Sequence, residues 1–217
     1  MKKLKEFLGK YGFNIASTKN KKINFSSKKY WIERYKSGGN SGLGSYDVLA
    51  EYKADVLNKF LNQENIKNVI EFGCGDGNQI KYIDYPDYIG FDLSDDSLSI
   101  CKKIFINDDS KKFKIMDDYK NETCDLSLSL DVIYHIVEYN VFEDYMNRLF
   151  FSSNRFVIIY STDENIAYNL EHTPHIKHRK FTKWIEENKK DWQLLKVLPN
   201  KYKPELTGAN FFIYGII

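Results

Sequence analysis

The chain has 217 residues, of which 42% are hydrophobic and 29% are charged, enough to bury one sizeable core in a single domain. This composition argues against an intrinsically disordered chain, a collagen and a coiled coil. The 32 basic and 30 acidic side chains nearly cancel, so the chain lacks the basic surplus of a protein that mainly grips nucleic acid backbones.

The three cysteines, Cys74, Cys101 and Cys124, are too few and too scattered for a disulfide framework or a thiolate metal site. Their simplest interpretation is reduced thiols in a cytoplasmic protein. The sequence has no apolar run long enough for a signal peptide or a membrane span. We therefore expect a cytoplasmic protein with no membrane partner.

The first part of the chain predicts a cap. An aromatic segment, residues 29–35, precedes a Gly/Ser-rich stretch, residues 37–45. Residues 46–62 then predict a helix, because six apolar side chains share one face: Val48, Leu49, Tyr52, Val56, Leu57 and Phe60. We expect residues 1–65 to form a cap or lid segment packed on the same domain as residues 66–217.

After the cap, short β-branched and aromatic runs alternate with helix-like stretches, which predicts βαβ units. A helix beginning near Thr182 is expected between the fifth and sixth strands. A loop joins the last two strands, so the final strand should be antiparallel. The fold class is therefore α/β: a Rossmann-like, seven-stranded, mostly parallel sheet with helices on both faces. The predicted strands cover residues 67–72, 87–91, 112–116, 124–130, 155–161, 192–198 and 211–216.

The strongest motif is the glycine-rich turn within NVIEFGCGDGNQI, residues 68–80. Its glycines, Gly73, Gly75 and Gly77, let the backbone approach a ligand closely, and a helix starting at Asn78 would supply free N–H groups. A dinucleotide-binding fingerprint would need its third glycine where Asn78 stands. The remaining alternative from the residues alone is a glycine-rich turn that binds nothing.

With Glu71 two residues before the first glycine, the turn resembles the first motif of class I S-adenosylmethionine-dependent methyltransferases, E/D-x-G-x-G-x-G. The resemblance implies the cofactor S-adenosylmethionine and the product S-adenosylhomocysteine. It assigns the aminocarboxypropyl end of the cofactor to Glu71 and to the turn, where the candidate residues are Gly73, Gly75, Asn78 and Gln79.

Two further motifs of the same superfamily follow. Asp92 ends the second predicted strand, where a carboxylate can accept hydrogen bonds from ribose hydroxyls, and Leu93 would line the adenine. After the third strand, Asp117 would bond the adenine amino group, with Met116 as an apolar wall and Asp118 as the alternative acid. Each acid could instead only cap a helix or close a turn.

Residues 124–138 resemble the strand-four region of the superfamily, D-hydrophobics-DV-x-x-H. The resemblance puts Leu130 and Asp131 beside the reacting sulfonium, with Tyr134 and His135 just beyond. His135 is the first candidate for a general base, because imidazole titrates near neutrality. Asp131 is the competing base, Tyr134 could orient either group, and a purely hydrogen-bonding role for His135 is the alternative.

The substrate residues are expected in the cap and in the loops around the cofactor's methyl group. Trp31 and Arg34 could fold over the cofactor and clamp its carboxylate, with packing on the sheet edge as the alternative. Tyr46 could face the substrate.

A basic segment, HIKHRK, follows the fifth strand. Its side chains could bind a phosphate or carboxylate of the substrate, or could form a solvated loop. Pro174 and the three-residue spacing argue against a metal site, so no metal is predicted. The candidate substrate ligands in this segment are His172, His175, His178 and Arg179.

The whole pattern also resembles small bacterial methyltransferases that tailor surface or capsular polysaccharides. The sequence thus predicts methyl transfer to O or N of a small, polar, anionic metabolite: a sugar, a sugar phosphate, a nucleotide-linked sugar or a small amine precursor. The alternatives are an RNA or protein methyltransferase and a non-catalytic S-adenosylmethionine-binding regulatory module. The near-neutral charge disfavours nucleic acid as a partner, and the sequence leaves monomer and homodimer open.

Overall fold

The computed structural model describes residues 25–167, 169, 171–202 and 206–217; residues 1–24 of the predicted cap lie outside them. One seven-stranded sheet with the order β3-β2-β1-β4-β5-β7-β6 forms the centre of the described structure. The strands are β1 (Asn68–Phe72), β2 (Asp87–Asp92), β3 (Lys111–Ile115), β4 (Cys124–Leu130), β5 (Ser153–Ser161), β6 (Trp192–Leu198) and β7 (Asn210–Ile216). The α-helices are α1 (Ser27–Lys36), α2 (Asp47–Gln63), α3 (Asp95–Ile104), α4 (Tyr139–Phe151) and α5 (Phe181–Asn188).

The sheet has the predicted mixed topology. The pairs β1–β2, β1–β4, β2–β3 and β4–β5 are parallel. Strand β7 runs antiparallel to both β5 and β6, which confirms the predicted antiparallel final strand. The α/β, Rossmann-like fold class is therefore confirmed.

Two apolar layers enclose the sheet, because alternate residues of each strand face opposite sides. Val69 packs in a layer with α2 and α3, while its neighbour Ile70 packs in a layer with α4 and α5. In β4 the leucines fill the first layer, and the intervening serines bond to α4: Ser127 Oγ donates to the Leu149 carbonyl, and Tyr145 Oη donates to Ser129 Oγ. Helices on both faces are confirmed.

Helix α2 forms where its apolar periodicity predicts it, but its buried face differs from the prediction. Val48 lies in the first turn and is 44% exposed, so its predicted place on the buried face is wrong. The buried face instead includes a charged residue, Lys53, which is fully buried. Lys53 lies one helical turn after Leu49 and one turn before Leu57.

One local expectation about a helix start is wrong, and the predicted start near Thr182 is confirmed. The glycine-rich turn leads into a single 3-10 turn, Gln79–Tyr82, rather than a helix beginning at Asn78. Helix α2 already covers this side of the sheet, and Gln79 donates a hydrogen bond to the Ala50 carbonyl within it. At α5, Thr182 is the second helical residue, and the Asp163 carboxylate accepts from its N–H and Oγ, so Asp163 provides the cap.

Candidate active site

A cavity of about 270 Å³ opens at the carboxyl ends of β1, β2, β3 and β4. Ligands of open α/β sheets bind at this edge, outside the carboxyl ends of the strands. Twelve of the predicted site residues line the cavity: Trp31, Glu71, Gly73, Gly75, Gln79, Asp92, Leu93, Met116, Asp117, Leu130, Asp131 and His135.

The glycine-rich turn wraps tightly around the end of β1. Gly73 and Gly75 have φ angles of 86° and 60°, which side chains rarely tolerate. A Cβ on Gly73 would lie 2.5 Å from Val132, and one on Gly75 would lie 2.3 Å from Ser41 Oγ. The turn therefore requires glycine for its backbone and for the close approach of its neighbours.

Asp92 stands at the centre of the turn. Its Oδ2 accepts from the Gly75 N–H at 2.9 Å, and its Oδ1 accepts from the Ser94 N–H and from Ser97 Oγ. Burial raises the pKa of Asp92, and these donors oppose the rise. Oδ1 already accepts two bonds, whereas Oδ2 can accept a second one, so the group can also receive a hydroxyl from the cavity.

Glu71 is the other buried carboxyl of the wall. Tyr88 Oη donates to its Oε2 at 2.7 Å. Burial raises the pKa of Glu71 to about 7, although the Tyr88 bond and the Lys53 charge oppose the rise. Glu71 therefore changes protonation state near neutrality, within reach of a cationic ligand group.

Another part of the cavity wall, around Leu93 and Met116, combines apolar side chains with exposed charged ones. Asp117 lies there and pairs with Lys28 of α1 at 2.7 Å. This pairing lowers the pKa of Asp117. Arg148 of α4 also lines this part of the wall. An apolar slot edged by hydrogen-bonding groups suits a flat heterocycle.

Asp131 follows β4 with a φ of 60°, a strained backbone for a residue other than glycine. Its Oδ2 lies 2.6 Å from Lys53 Nζ, and its Oδ1 accepts from Tyr134 Oη at 2.9 Å. Both oxygens thus have donors, and the carboxylate is paired with a buried ammonium. As a general base, Asp131 would have to give up that pair, which weakens its case. Tyr134 itself does not line the cavity.

His135 faces the cavity with a defined tautomer. Its Nδ1 lies 3.1 Å from the His175 carbonyl oxygen, which can only accept, so Nδ1 carries the proton. The neutral ring then leaves Nε2 as an acceptor. Burial lowers the pKa of His135 to about 4, so the ring is neutral at physiological pH. His135 thus has the free lone pair that a proton acceptor needs.

The basic segment packs behind the loop that follows β4 rather than lining the cavity. The Arg179 guanidinium donates to the Ile136 and Val137 carbonyls, and the Lys177 N–H donates to the Tyr134 carbonyl at 2.7 Å. The other members lie beside it: the His175 ring stacks on Tyr30, His178 Nδ1 bonds Thr162 Oγ1, and His172 is exposed. This placement gives no support to a substrate-binding role for His172, His175, His178 and Arg179.

Helix α1 covers the cavity and is fixed at its first turn. The Ser27 N–H and Oγ donate to the two carboxylate oxygens of Glu138 at 2.9 and 2.6 Å. Further along, the Trp31 ring packs edge to face on His135, with centroids 4.9 Å apart. The helix therefore closes the cavity with an aromatic wall.

The Gly/Ser-rich segment is bonded to the glycine turn through Asp76. Asp76 Oδ2 accepts from the Ser41 N–H and from Tyr46 Oη, and the Asp76 N–H donates to Ser41 Oγ. Tyr46 therefore holds the segment in place and does not line the cavity. Arg34 and Asn78 also lie outside its wall: Arg34 bonds the Asn40 carbonyl, and the Asn78 amide donates to the Ser45 carbonyl.

The sequence-based analysis missed the buried Lys53, the Asp76 contacts and the Ser27–Glu138 bonds. Lys53 had a detectable signal, because it interrupts the apolar face of α2 four residues from both Leu49 and Leu57. The Asp76 and Glu138 contacts join distant parts of the chain, and no local pattern marks them.

Within the described residues, no group of histidine, cysteine, aspartate and glutamate side chains is arranged to hold a metal ion. In the same part of the chain, no helix combines the length and apolar character needed to cross a membrane.

Comparisons with known proteins agree with this geometry. Residues 70–158 match a family model described as "Methyltransferase domain". No curated protein matches the chain. Many solved structures share its fold. The N-methyltransferase NodS from Bradyrhizobium japonicum WM9, in complex with S-adenosylhomocysteine, has a TM-score of 0.68 at 9% identity, covering 88% of this chain and 99% of that one.

The magnesium protoporphyrin IX methyltransferase ChlM from Synechocystis PCC 6803, with bound S-adenosylhomocysteine, has a TM-score of 0.66 at 12% identity, covering 88% of this chain and 100% of that one. The methyltransferase domain of bacterial CtHen1-C has a TM-score of 0.60 at 20% identity, covering 76% of this chain and 97% of that one. At such identities the likeness establishes the fold. Residues 70–158 are thus similar to a methyltransferase domain, and they lie on a fold shared with methyltransferases whose structures contain S-adenosylhomocysteine.

Proposed function

We propose that the chain transfers the methyl group of S-adenosylmethionine to O or N of a small, polar, anionic metabolite: a sugar, a sugar phosphate, a nucleotide-linked sugar or a small amine precursor. The observation that carries this proposal is the cavity at the strand ends, which joins a glycine turn, two buried carboxyls and the neutral His135. Its role in surface or capsular polysaccharide biosynthesis rests on the sequence resemblance alone.

The cavity residues fit the cofactor in three places. The buried Asp92 can accept a ribose hydroxyl at Oδ2, and the apolar Leu93 and Met116 can flank the adenine. Glu71, whose pKa lies near 7, can pair with the cofactor's ammonium. The bound cofactor would supply an electrophilic methyl group on a sulfonium.

The chain's own contribution would be positioning and proton removal. Holding the acceptor in line with the methyl group accounts for most of the acceleration that such a site can give. His135 Nε2 would take the proton of a hydroxyl acceptor, since Nδ1 is already committed to the His175 carbonyl. Helix α1 would exclude water, with Trp31 as the wall nearest His135.

A small acceptor is supported by the covering of the cavity. The Ser27–Glu138 bonds hold one end of α1, and the Asp76 contacts hold the segment that follows it. An anionic acceptor is supported by the cations that line the cavity, Lys28, Lys53 and Arg148. Lys28 and Lys53 already pair with carboxylates, and Arg148 lines the part of the cavity that holds Asp117.

The first test is calorimetric titration with S-adenosylhomocysteine, with NAD in parallel. We expect S-adenosylhomocysteine to bind and NAD not to bind. The isosteric change Asp92→Asn should weaken binding by roughly tenfold or more, the loss expected for charged hydrogen bonds. Asp96→Asn, an exposed acid on α3, is the matched control and should leave binding unchanged.

The second test is methyl transfer from labelled S-adenosylmethionine to a panel of phosphorylated and nucleotide-linked sugars, small amines, RNA and protein. Transfer to a member of the small-molecule group supports the proposal, and His135→Ala should reduce it without changing S-adenosylhomocysteine affinity. Transfer to RNA or protein alone would overturn the small-metabolite assignment. Cofactor binding without methyl transfer to any member of the panel would instead favour a non-catalytic regulatory module.

A further inference from the structure

Lys53 is a buried cation on the cavity wall. Its side chain is 1% exposed, and its Nζ lies 2.6 Å from Asp131 Oδ2. The ring of Tyr160 lies 5.3 Å from the same nitrogen, a favourable position for a cation. In the described part of the chain, Asp131 is the one hydrogen-bond acceptor of this ammonium. Since an ammonium has three N–H donors, two of them have no hydrogen-bond acceptor among the described residues.

Each oxygen of the Asp131 carboxylate already accepts a hydrogen bond from a neighbour. Tyr134 Oη donates to one oxygen and Lys53 Nζ to the other. The segment around Gly44 passes so close that a Cβ there would lie 2.7 Å from Asp131 Oδ2. Asp131 is therefore held by its neighbours on the cavity wall, and it holds Lys53 in one position beside it. A buried donor without a partner is costly, so the remaining Lys53 N–H groups favour an oxygen from a ligand.

We propose that Lys53 donates a hydrogen bond to the reacting atom of the acceptor and that this atom is an oxygen. This inference rests on the proposed function, since it puts the acceptor in the same cavity. It narrows the acceptor from O or N to a hydroxyl. Lys53 thereby becomes a catalytic residue that sets the choice of nucleophile.

The number of lone pairs makes an ammonium selective for oxygen. A hydroxyl oxygen has two lone pairs, so it can accept from Lys53 with one and attack the methyl carbon with the other. A neutral amine has a single lone pair, which the attack needs. A protonated amine has none and would meet the positive charge of Lys53 at close range.

The step balances as a simple displacement. The acceptor oxygen forms a bond to the methyl carbon as the carbon–sulfur bond breaks, and the bonding pair stays on sulfur. The hydroxyl proton passes to His135 Nε2 and then to water. Lys53 stabilises the negative charge that develops on the oxygen.

The probe that tests this placement is sinefungin, a cofactor analogue in which a carbon bearing an amino group replaces the sulfonium and its methyl. Its ammonium occupies the place of the transferring methyl, so its affinity relative to S-adenosylhomocysteine reports the charge there. Both ligands are titrated calorimetrically into the full chain. In Lys53→Met the uncompensated Asp131 should tighten sinefungin relative to S-adenosylhomocysteine by roughly tenfold.

Asp131→Asn should shift the same ratio in the opposite direction, because the charge of Lys53 is then unopposed. The double variant, Lys53→Met with Asp131→Asn, keeps the wall neutral and should return the ratio towards that of the wild type. Lys59→Met, an exposed lysine on α2, is the matched control. Binding of S-adenosylhomocysteine shows in every case that the variant is folded.

Ratios within about threefold of the wild type in both single variants would overturn the inference while leaving the proposed function intact. If the wild type binds neither ligand, the proposed function fails first.

The nature of the reacting atom has its own test. The enzyme is incubated with carbon-13-methyl cofactor and a small-molecule extract of cells, and proton–carbon correlation spectra separate methoxyl from N-methyl products. Methoxyl products, reduced by Lys53→Met, support oxygen, whereas N-methyl products alone would refute the choice of nucleophile.

Discussion

The Trp31 indole and the His135 imidazole pack edge to face with centroids 4.9 Å apart, so the helix over the cavity touches the candidate base directly. The contact is part of a larger stack, because the His135 and His175 rings are nearly parallel and Tyr30 stacks on the outer face of His175. Residues of α1 therefore keep water from the His135 ring. Closure of the cavity and the proton affinity of His135 are coupled through this contact.

Trp31→Ala should raise the pKa of His135 from about 4 towards its ordinary value, because water would reach the ring. Turnover should fall by roughly tenfold as the aromatic wall is lost. An NMR titration of the His135 ring protons measures the first effect. Trp31→Phe keeps an aromatic ring at this position, so its His135 pKa and its turnover should both lie close to those of the wild type. An unchanged titration in Trp31→Ala would show that α1 does not shield the base.

Glu71 should make cofactor affinity depend on pH. Its pKa of about 7 in the free cavity means that it becomes neutral as the pH falls, and a neutral carboxyl cannot pair with the cofactor's ammonium. The dissociation constant of S-adenosylhomocysteine should therefore rise by up to ~10-fold per pH unit below that value. Calorimetry over a pH series measures this slope. Glu71→Gln should bind more weakly and with a flatter profile, and a slope equal to that of the wild type would assign the titration to another group.

Much of the fold, and the placement of the glycine turn and its neighbouring acids at one sheet edge, could be predicted because their signals are local. The glycine turn, the acid after β2 and the alternating leucines of β4 each depend on a few neighbouring residues. The strand bounds follow for the same reason. Gly73 and Gly75 in particular could be assigned because the turn leaves no space for a Cβ.

The packing of the basic segment could not be predicted from sequence, because the partners of Arg179 are main-chain carbonyls far away in the chain. An arginine among histidines suggests an anion site, but Arg179 donates to the carbonyls of Ile136 and Val137. Backbone acceptors leave no pattern in a sequence. The case of Lys53 differs, since a lysine on an apolar face indicates a buried partner without identifying Asp131.

Arg179 should position the loop that carries His135. Its guanidinium bridges two carbonyls of that loop and lies over the Phe142 ring. Arg179→Lys keeps the charge but cannot bridge both carbonyls, so we expect turnover to fall by roughly tenfold with S-adenosylhomocysteine affinity unchanged. The pH dependence of the methyl-transfer rate should also shift, because the His135–His175 hydrogen bond depends on the same loop.

Lys183→Met, an exposed lysine on α5, is the control for Arg179→Lys. A parallel loss of turnover and cofactor affinity would mean that Arg179 acts only through general stability.

Asp76 should hold the Gly/Ser-rich segment against the cofactor turn. Asp76→Ala removes the acceptor for the Ser41 N–H and for Tyr46 Oη, at a cost of about 2 kcal/mol in the free energy of unfolding. Residues 37–46 should then exchange their amide hydrogens faster and be cleaved more readily by protease. Asp84→Ala, an exposed acid in the following loop, is the control. Equal exchange in the two variants would show that the segment is held by other contacts.

His135 should make stability fall in mild acid. Its pKa is about 4 in the folded protein and 6.5 ordinarily, so the unfolded chain takes up the proton first as the pH falls between these values. The contribution to the free energy of unfolding is complete above the upper value and decreases towards the lower one, by up to ~3 kcal/mol. Glu71 has the opposite effect, because its raised pKa makes the folded state bind its proton more tightly.

The comparison that isolates His135 is urea unfolding of wild type and His135→Gln over a pH series, since Glu71 contributes equally to both. The difference between the two free energies should shrink as the pH falls from about 6.5 to about 4. His172→Gln, which changes an exposed imidazole, should show no such trend. A constant difference would mean that His135 is solvated in the folded state and that its ring is not held neutral by burial. The same His135→Gln protein should bind S-adenosylhomocysteine normally and transfer methyl slowly, because Nε2 acts on the acceptor and not on the cofactor.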